Sequence, residues 1–237
     1  MQNFQSYFGM VGATRYGAGQ WLPATMTSLV VATFVVLLAV PLGSLAAYGL
    51  IRGTFLGKGV ITYLIISPLV IPVIITAVAI FMFFSRYMRF MTGSVVSVGP
   101  FHLPLGFVVA HTILALPYVV VIVSATLRGI DPILENAAMS LGASRLTTLR
   151  RVVLPLMVPG IAASVFFAFL TSFDELIIAL FLSTPRVMTL PKRMWDGIRF
   201  EVDPTIAAVS TVLVFLTILM LSTLVLARRY LSRYQRD

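Results

Sequence analysis

The segment "ENAAMSLGASRLTTLRRVVLPLMVPGI", residues 135–161, is polar and rich in arginine, yet it begins and ends beside strongly apolar stretches. Just upstream, Asp131 can cap a helix and Pro132 suits its first position, while Gly142 suits the left-handed residue that ends a helix. These signals predict a short, self-contained helix from 131 to 142. A Leu-Pro step at 154–155 then leads into the next apolar run.

The predicted helix carries a narrow apolar stripe. Leu134, Ala138 and Leu141 recur at spacings of four and three, whereas Glu135 and Ser140 point elsewhere. So small a stripe forms no core of its own, and it must lie on this protein's helices, on lipid, or in another protein's groove. The spacing alone favours packing against the chain's own helices.

Composition places the chain in the membrane. Of its 237 residues, 59% are hydrophobic and 11% are charged, and the mean hydropathy is +1.01. Soluble domains are about 25% charged. The net charge of +9 does not indicate nucleic-acid binding, because the basic residues lie between apolar runs and not along one face. The absence of cysteine excludes disulfides and thiolate chemistry.

Long charge-poor windows predict five membrane-spanning helices, since one span needs about 20 apolar residues. They lie near 26–50, 60–84, 104–127, 153–182 and 205–227. No internal repeat or linker divides the chain, so residues 25–228 form one transmembrane domain. Several predicted spans contain proline, which removes a helix hydrogen bond and leaves a carbonyl without its donor. That carbonyl must be satisfied by a neighbouring helix or by water, so the prolines indicate either a transport pathway or ordinary packing of kinked helices.

Basic residues set the expected orientation. One side of the predicted membrane holds ten of the 17 Lys and Arg residues and the other holds seven. The richer side includes the Arg pairs that adjoin the fourth and fifth spans. This predicts a cytoplasmic loop at 128–151, a basic cytoplasmic tail at 229–237, and an extracytoplasmic N-terminal segment at 1–24.

The polar segment resembles the signature of permease subunits of binding-protein-dependent ABC importers. That signature is EAA, three residues, Gly, nine residues, a β-branched residue, any residue, and Leu-Pro. The chain has "NAA" at 136–138, then Gly142, Val152, and "LP" at 154–155. The resemblance implies a five-helix type I permease core, all-α, with residues 131–142 as the cytoplasmic helix that couples to an ATPase.

The coupling residues that the resemblance implies are Glu135, Asn136, Ala137, Ala138, Gly142, Leu154 and Pro155. The sequence departs from the signature at one position, where Asn136 replaces the acid and Glu135 stands one residue earlier. Adjacent residues of a helix point about 100° apart. Any ion pair that the family makes from that position is therefore in doubt, whereas docking by shape is expected to remain.

Four further segments resemble the spermidine/putrescine branch of these permeases: "SPLVIP" (67–72), "SFDELIIALFLS" (172–183), "TLPKRMWDGI" (189–198) and "DPTIAAVST" (203–211). The resemblance implies a bacterial inner-membrane transport subunit for a polyamine or another small organic cation. The implied partners are a second permease, a cytoplasmic ATPase dimer and an external solute-binding protein, with lipid around the helices. Members of this branch usually have one more N-terminal helix than this chain shows.

Other functions stay open at this stage. Within transport, the substrate could instead be a sugar, an anion or a metal ion. An ATP-independent channel and an intramembrane enzyme are the alternatives from other classes. No Gly-Lys-Ser phosphate loop, nucleophile elbow or HExxH helix is present, so the sequence predicts no ATP hydrolysis by the chain itself and no cofactor.

Asp174 and Glu175 are the candidate residues of the translocation path, because they interrupt the apolar run of the fourth span. A carboxylate at mid-helix costs about 2.5–3.5 kcal/mol to insert, so it usually faces water or a bundle interior. The alternative is a pair at the outer mouth that contacts headgroups or a partner. His111 is expected to hydrogen-bond across helices, and no ligand spacing predicts a metal site.

Overall fold

The computed structural model describes residues 21–91, 95–98, 101–184, 187–200, 206–215, 217–219 and 222. Its helices are α1 (Trp21–Arg52), α2 (Lys58–Val70), α3 (Val73–Tyr87), α4 (Leu105–Arg128), α5 (Pro132–Ser140), α6 (Arg145–Phe173), α7 (Ile177–Leu182), α8 (Leu190–Phe200) and α9 (Ile206–Leu219). Two strands, β1 (Val95–Val98) and β2 (Phe101–Pro104), form an antiparallel hairpin between α3 and α4.

Among the described residues, three helices are each long and apolar enough to cross a membrane, namely α1, α4 and α6, and α2 with α3 passes the same test only as a bent pair. The three long helices pack together as the centre of the described chain. Gly43 of α1 lies against Val119 of α4, where a Cβ would come within 2.6 Å of Val119 Cγ1. Gly160 of α6 lies as closely against Thr126 of α4. Small residues at such crossings let helix backbones approach, which is how helices gain packing energy in lipid.

The contacts fix the relative direction of the three helices. Gly43 and Arg52 of α1 contact Val119 and Ile130 in turn, so α1 and α4 run parallel. Gly160 of α6 contacts Thr126, and Ser172 farther along α6 contacts His111 near the start of α4, so α6 and α4 run antiparallel. One end of the bundle therefore holds the C-termini of α1 and α4 and the N-terminus of α6. We call it the basic end, because it carries Arg52, Arg128 and Arg145. The other end, at Trp21 and Phe173, is the far end.

The second predicted span is not one helix. The sequence predicted a single helix near 60–84, but α2 and α3 meet at a bend of 107°. Pro72 has no N–H to continue the helix, and it forces Ile71 before it into an extended conformation with ψ 132°. The "SPLVIP" segment is therefore the point at which the chain turns.

The fourth predicted span, near 153–182, also differs from a single helix. Helix α6 begins at Arg145, earlier than predicted, and widens into a π-turn at Leu149–Val153 before it continues as Leu154–Phe173. The wider turn accommodates Pro155, whose ring would clash with the carbonyl of an ordinary α-helical turn. The helix then ends at Phe173, and α7 begins only at Ile177.

The buried core joins the long helices with the segments around them. Its fully buried side chains are mostly small or β-branched, and they include Val35, Ala39, Ala115, Val119, Val123 and Val153. At the far end, α8 packs on the start of α1, where the Leu190 N–H donates to Ser28 Oγ at 2.8 Å. Segments 1–20 and 229–237, and the later part of the predicted fifth span, lie outside the described residues.

Candidate coupling segment and transport-path carboxylates

Helix α5 has the termini that the sequence predicted. Asp131 Oδ1 accepts a hydrogen bond from the Ile133 N–H at 2.9 Å, and Pro132 takes the first helical position. At the other end Gly142 has φ +89°, and the Ala143 N–H donates to the Ala138 carbonyl at 3.1 Å. The predicted cap and the left-handed glycine are both confirmed.

The constraint on Gly142 comes from its backbone angle and not from crowding. A Cβ at this position would meet nothing within 4 Å. L-residues nonetheless enter the left-handed region at a cost of about 1–2 kcal/mol, apart from Asn and Asp, which visit it more readily. The glycine therefore fixes the angle at which the chain leaves α5.

The face of α5 that packs on the protein is not the apolar stripe that was predicted to pack there. The apolar stripe faces outward, since Leu134 is 46% and Leu141 is 89% exposed. Glu135, by contrast, is 7% exposed and is the one buried residue of Pro132–Ser140. The expectation that the stripe packs on the chain's own helices was wrong, because cationic and hydroxyl donors at the end of α1 attract the carboxylate inward.

The donors are Arg52 and Tyr48. Arg52 Nε lies 2.6 Å from Glu135 Oε1, and the Tyr48 hydroxyl donates to Glu135 Oε2 at 3.1 Å. Arg52 Nη2 also donates to the Ile130 carbonyl at 2.7 Å. Neither Tyr48 nor Arg52 was predicted from the sequence as a site residue. The available signal was Arg52 at the end of the first span, together with Glu135, the acid in the predicted short helix that its cap does not use.

The remaining predicted coupling residues lie on the surface. Asn136 and Ala137 are exposed on α5, and Ala138 is half-buried. Leu154 and Pro155 are exposed on α6, directly after the π-turn that packs against α5. A cavity of about 760 Å³ adjoins the end of α1, helix α5 and the start of α6, and both Arg52 and Glu135 line it.

At the far end, Asp174 and Glu175 lie in the break between α6 and α7. The expectation that they sit at mid-helix was therefore wrong. The Asp174 N–H still donates to the Leu170 carbonyl at 3.0 Å, and this bond closes α6. Glu175 Oε1 accepts from the Ile178 N–H at 3.0 Å, which satisfies a free donor in the first turn of α7.

The two carboxylates thus differ in environment. Glu175 is half-buried and its carboxylate is used as a helix cap, whereas Asp174 is exposed. Nothing in the described ranges places a cation within salt-bridge distance of Asp174. Nor do three His, Asp or Glu side chains come together there as a metal site would require. Of the two carboxylates, that of Asp174 is exposed and that of Glu175 accepts a hydrogen bond from the first turn of α7.

His111 of α4 supports the end of α6. It is 1% exposed, and its Nδ1 lies 3.0 Å from both the carbonyl and the hydroxyl oxygen of Ser172. Because α6 ends at Phe173, the Ser172 carbonyl lacks the N–H of a continuing helix, and Nδ1–H is the donor that reaches it. The prediction that His111 hydrogen-bonds across helices is confirmed.

A second far-end contact joins the start of α1 to α8. The guanidinium of Arg193 lies 5.0 Å from the centre of the Trp21 ring, and the two residues are 8% and 0% exposed. Cation–π contacts of this kind are strongest where water is excluded. The segment "TLPKRMWDGI" carries part of the family resemblance, but nothing in the sequence identified Trp21 as the partner of Arg193.

Residues 39–235 match the family described as binding-protein-dependent transport system inner membrane component. The chain belongs to this family. It is accordingly a permease subunit of an ABC importer. Such a subunit is a transport component of the inner membrane and not an enzyme. The family assignment made from the Gly-to-Leu-Pro spacing is confirmed.

Individual proteins show the same similarity. The spermidine/putrescine transport system permease protein PotC of Escherichia coli (strain K12) is 31% identical over 202 residues, which cover 84% of this chain and 71% of PotC. The putrescine transport system permease protein PotI of the same organism is 34% identical over 193 residues, or 81% of this chain and 67% of PotI.

A solved structure has the same fold. It is a bacterial ABC transporter involved in the import of the acidic polysaccharide alginate, with a TM-score of 0.67 and 16% identity. The match covers 98% of this chain and 88% of that one. The predicted fold class, a helical type I permease, is therefore confirmed, with the β1–β2 hairpin as an addition to it.

Proposed function

We propose that this chain forms half of the translocation path of a polyamine importer. A second permease forms the other half, an ATPase dimer supplies energy from the cytoplasm, and an external solute-binding protein delivers the substrate. The observation that carries the substrate class is sequence similarity to two permeases named for spermidine and putrescine over more than four fifths of the chain. The fold does not carry it, because the alginate transporter shares the architecture.

Helix α5 is the proposed docking element for the ATPase. Its outward face offers Leu134 and Leu141, and Ile133 beside them is 67% exposed. An apolar helix face that its own protein leaves uncovered suits a groove on a partner. The basic residues of the surrounding bundle end favour the cytoplasm for this face.

The exposed residues of the signature extend this surface. Asn136 and Ala137 lie on α5, and their small side chains permit close approach of a partner backbone. Leu154 and Pro155 lie where the π-turn passes into the regular α-helical part of α6. In this proposal, Leu154 and Pro155 determine the direction in which α6 moves when α5 moves.

Asp174 is the proposed carboxylate of the path. A polyamine is a flexible polycation, and crossing an apolar bundle removes much of its hydration. An exposed carboxylate at a helix break offsets part of that cost. A single free carboxylate also binds weakly enough for release, which a transported ion requires. Glu175 is expected to contribute less, because its carboxylate caps α7.

The test begins with the intact complex. The tagged chain is purified from its native membrane with its associated subunits, and the complex is reconstituted in proteoliposomes with its binding protein. We expect ATP-dependent uptake of radiolabelled putrescine or spermidine. Unlabelled polyamine should compete with this uptake, whereas glucose and sulfate should not.

Three results would contradict the proposal. Uptake without ATP would indicate a channel. Competition by sulfate or by glucose, with none by polyamine, would indicate an anion or sugar permease. Purification without an ATPase subunit would remove the role given to α5.

A further inference from the structure

Polar contacts, and not apolar packing, tie α5 to the end of α1. The large apolar side chains of α5 are exposed, and its one buried residue is the acid Glu135. The cavity of about 760 Å³ lies where these two helices meet the start of α6. The side chains that reach across this space are therefore well placed to transmit a movement from one helix to the other.

Glu135 is held by two donors on one face of α1. Tyr48 and Arg52 are four residues apart, so they lie above one another on the last turns of the helix. Each donates to a different oxygen of the carboxylate, at 3.1 Å and 2.6 Å. A carboxylate held at both oxygens loses its rotational freedom, so these contacts fix α5 relative to the end of α1.

Arg52 has a second contact that lysine could not reproduce with the same geometry. While its Nε meets Glu135, its Nη2 donates to the Ile130 carbonyl at 2.7 Å. Ile130 is 8% exposed and directly precedes the Asp131 cap. The planar guanidinium thus binds both Ile130, in the segment that leads into α5, and Glu135 within α5.

We propose that Arg52 and Tyr48 are positioning residues that transmit movement of α5 to the long helix α1 through Glu135. This inference rests on the proposed function, in which α5 is the element that the ATPase moves. The pair would then determine how much transport follows each ATP hydrolysed, while the outward face of α5 determines whether the ATPase docks at all.

The experiment measures two quantities in the same proteoliposomes: ATP hydrolysis stimulated by the loaded binding protein, and solute uptake. Their ratio is the coupling ratio. We expect Arg52→Gln and Glu135→Gln each to keep most of the hydrolysis and to lower solute taken up per ATP about fivefold or more, which is the lower range of coupling effects between distant sites. Arg52→Lys should recover part of the loss, and Tyr48→Phe should cause a smaller one.

A matched ion pair provides the control. Lys192 and Asp196 also meet at 2.6 Å and are similarly exposed, but both belong to α8 and join no two helices. Asp196→Asn should leave the coupling ratio unchanged. The double variant Arg52→Gln with Glu135→Gln should be no worse than either single variant, because both remove one interaction.

Specific results overturn the inference. A wild-type coupling ratio in Glu135→Gln does so, and so does a loss in Asp196→Asn as large as that in Arg52→Gln. If the Gln variants fail to assemble, Arg52→Lys and Tyr48→Phe decide, and unchanged ratios in both overturn it. Failure of the proposed function is distinguishable, because it appears in the wild-type complex as hydrolysis that binding protein does not stimulate.

Discussion

Glu135 at the basic end and Asp174 at the far end are acidic residues beside helix termini, but their surroundings differ. Glu135 is 7% exposed and receives hydrogen bonds from Arg52 and Tyr48. Asp174 is exposed and meets no cation among the described residues. The Glu135 carboxylate is paired and joins two helices, whereas the Asp174 carboxylate is exposed to its surroundings.

The comparison shows why residue type alone did not identify a site. An acid in an apolar protein must be paired or hydrated, since an isolated buried charge is costly. Whether an acid is paired or hydrated depends on which residues the fold places beside it. A carboxylate that is paired within the chain links the two helices of its pair. An unpaired carboxylate at a break in a helix can instead bind a mobile cation.

The largest expected effect concerns the side of the membrane on which each end lies. The chain has no cysteine, so single cysteines can be introduced as reporters. In spheroplasts, an impermeant maleimide should label Ile198→Cys of α8, because Ile198 is 59% exposed at the far end. Ser144→Cys, exposed at the basic end, should react only after the membrane is permeabilised.

Labelling of intact spheroplasts at position 144 and not at 198 would reverse the proposed topology. It would also place Glu135, and not Asp174, on the side from which substrate arrives. Labelling of both positions in detergent is the control for reactivity, because it shows that each thiol is accessible once the membrane is removed.

Gly142→Val should lower ATP-driven uptake by about tenfold, because left-handed backbone costs an L-residue about 1–2 kcal/mol and a β-branched residue more. Gly142→Asn should keep most of the activity, since Asn tolerates this conformation. Gly57 is the matched control: it has φ +83° and equally open surroundings, but it precedes α2 and not the docking surface.

Gly57→Val should therefore leave the amount of ATPase that copurifies with the complex unchanged, whereas Gly142→Val should reduce it. Equal behaviour of the two valine variants would indicate general backbone strain and would weaken the role of α5 in docking. Wild-type uptake in Gly142→Val would contradict the prediction directly.

Asp174→Asn should slow polyamine uptake by about tenfold, equivalent to about 1.4 kcal/mol, because it removes the available charge and keeps the size of the side chain. Glu175→Gln should have a smaller effect, since the amide oxygen can still accept from the Ile178 N–H. The measurement is initial uptake in proteoliposomes for each single variant and for the double variant.

ATPase docking should be unchanged in all three of these variants, because the substitutions are far from α5. Unchanged uptake in the double variant would remove the cation-path hypothesis. The carboxylates would then belong to a gate or to the interface with the second permease.

The smallest expected effect is on stability. His111→Leu removes the donor to the Ser172 carbonyl and should lower the melting temperature of the complex by about 2–4 °C, for a loss of about 1 kcal/mol. His111→Asn presents an N–H near the position of Nδ1 and should recover most of the loss. A thermal shift assay in detergent measures both. Equal losses in Leu and Asn variants would show that packing, and not this hydrogen bond, accounts for the effect.

The sequence by itself determined the features that depend on neighbouring residues. Asp131 and Gly142 delimit α5 through their own backbone preferences, and the apolar length of α1, α4 and α6 marks them as spans. The spacing from Gly142 to Pro155 identified the family. Local chemistry suffices for these properties because no distant residue is needed to satisfy them.

Only the tertiary structure decided which face of α5 turns inward and which carboxylate stays available. The stripe of Leu134 and Leu141 showed that α5 has an apolar face but not what covers it. Glu135 turns inward because Arg52, 83 residues earlier in the chain, ends a neighbouring helix within reach. Likewise the Glu175 carboxylate is hydrogen-bonded, because α7 begins a new helix whose first turn has a free N–H at Ile178. A buried polar group lies where its partner is, and partners distant in sequence become neighbours only once the helices have packed.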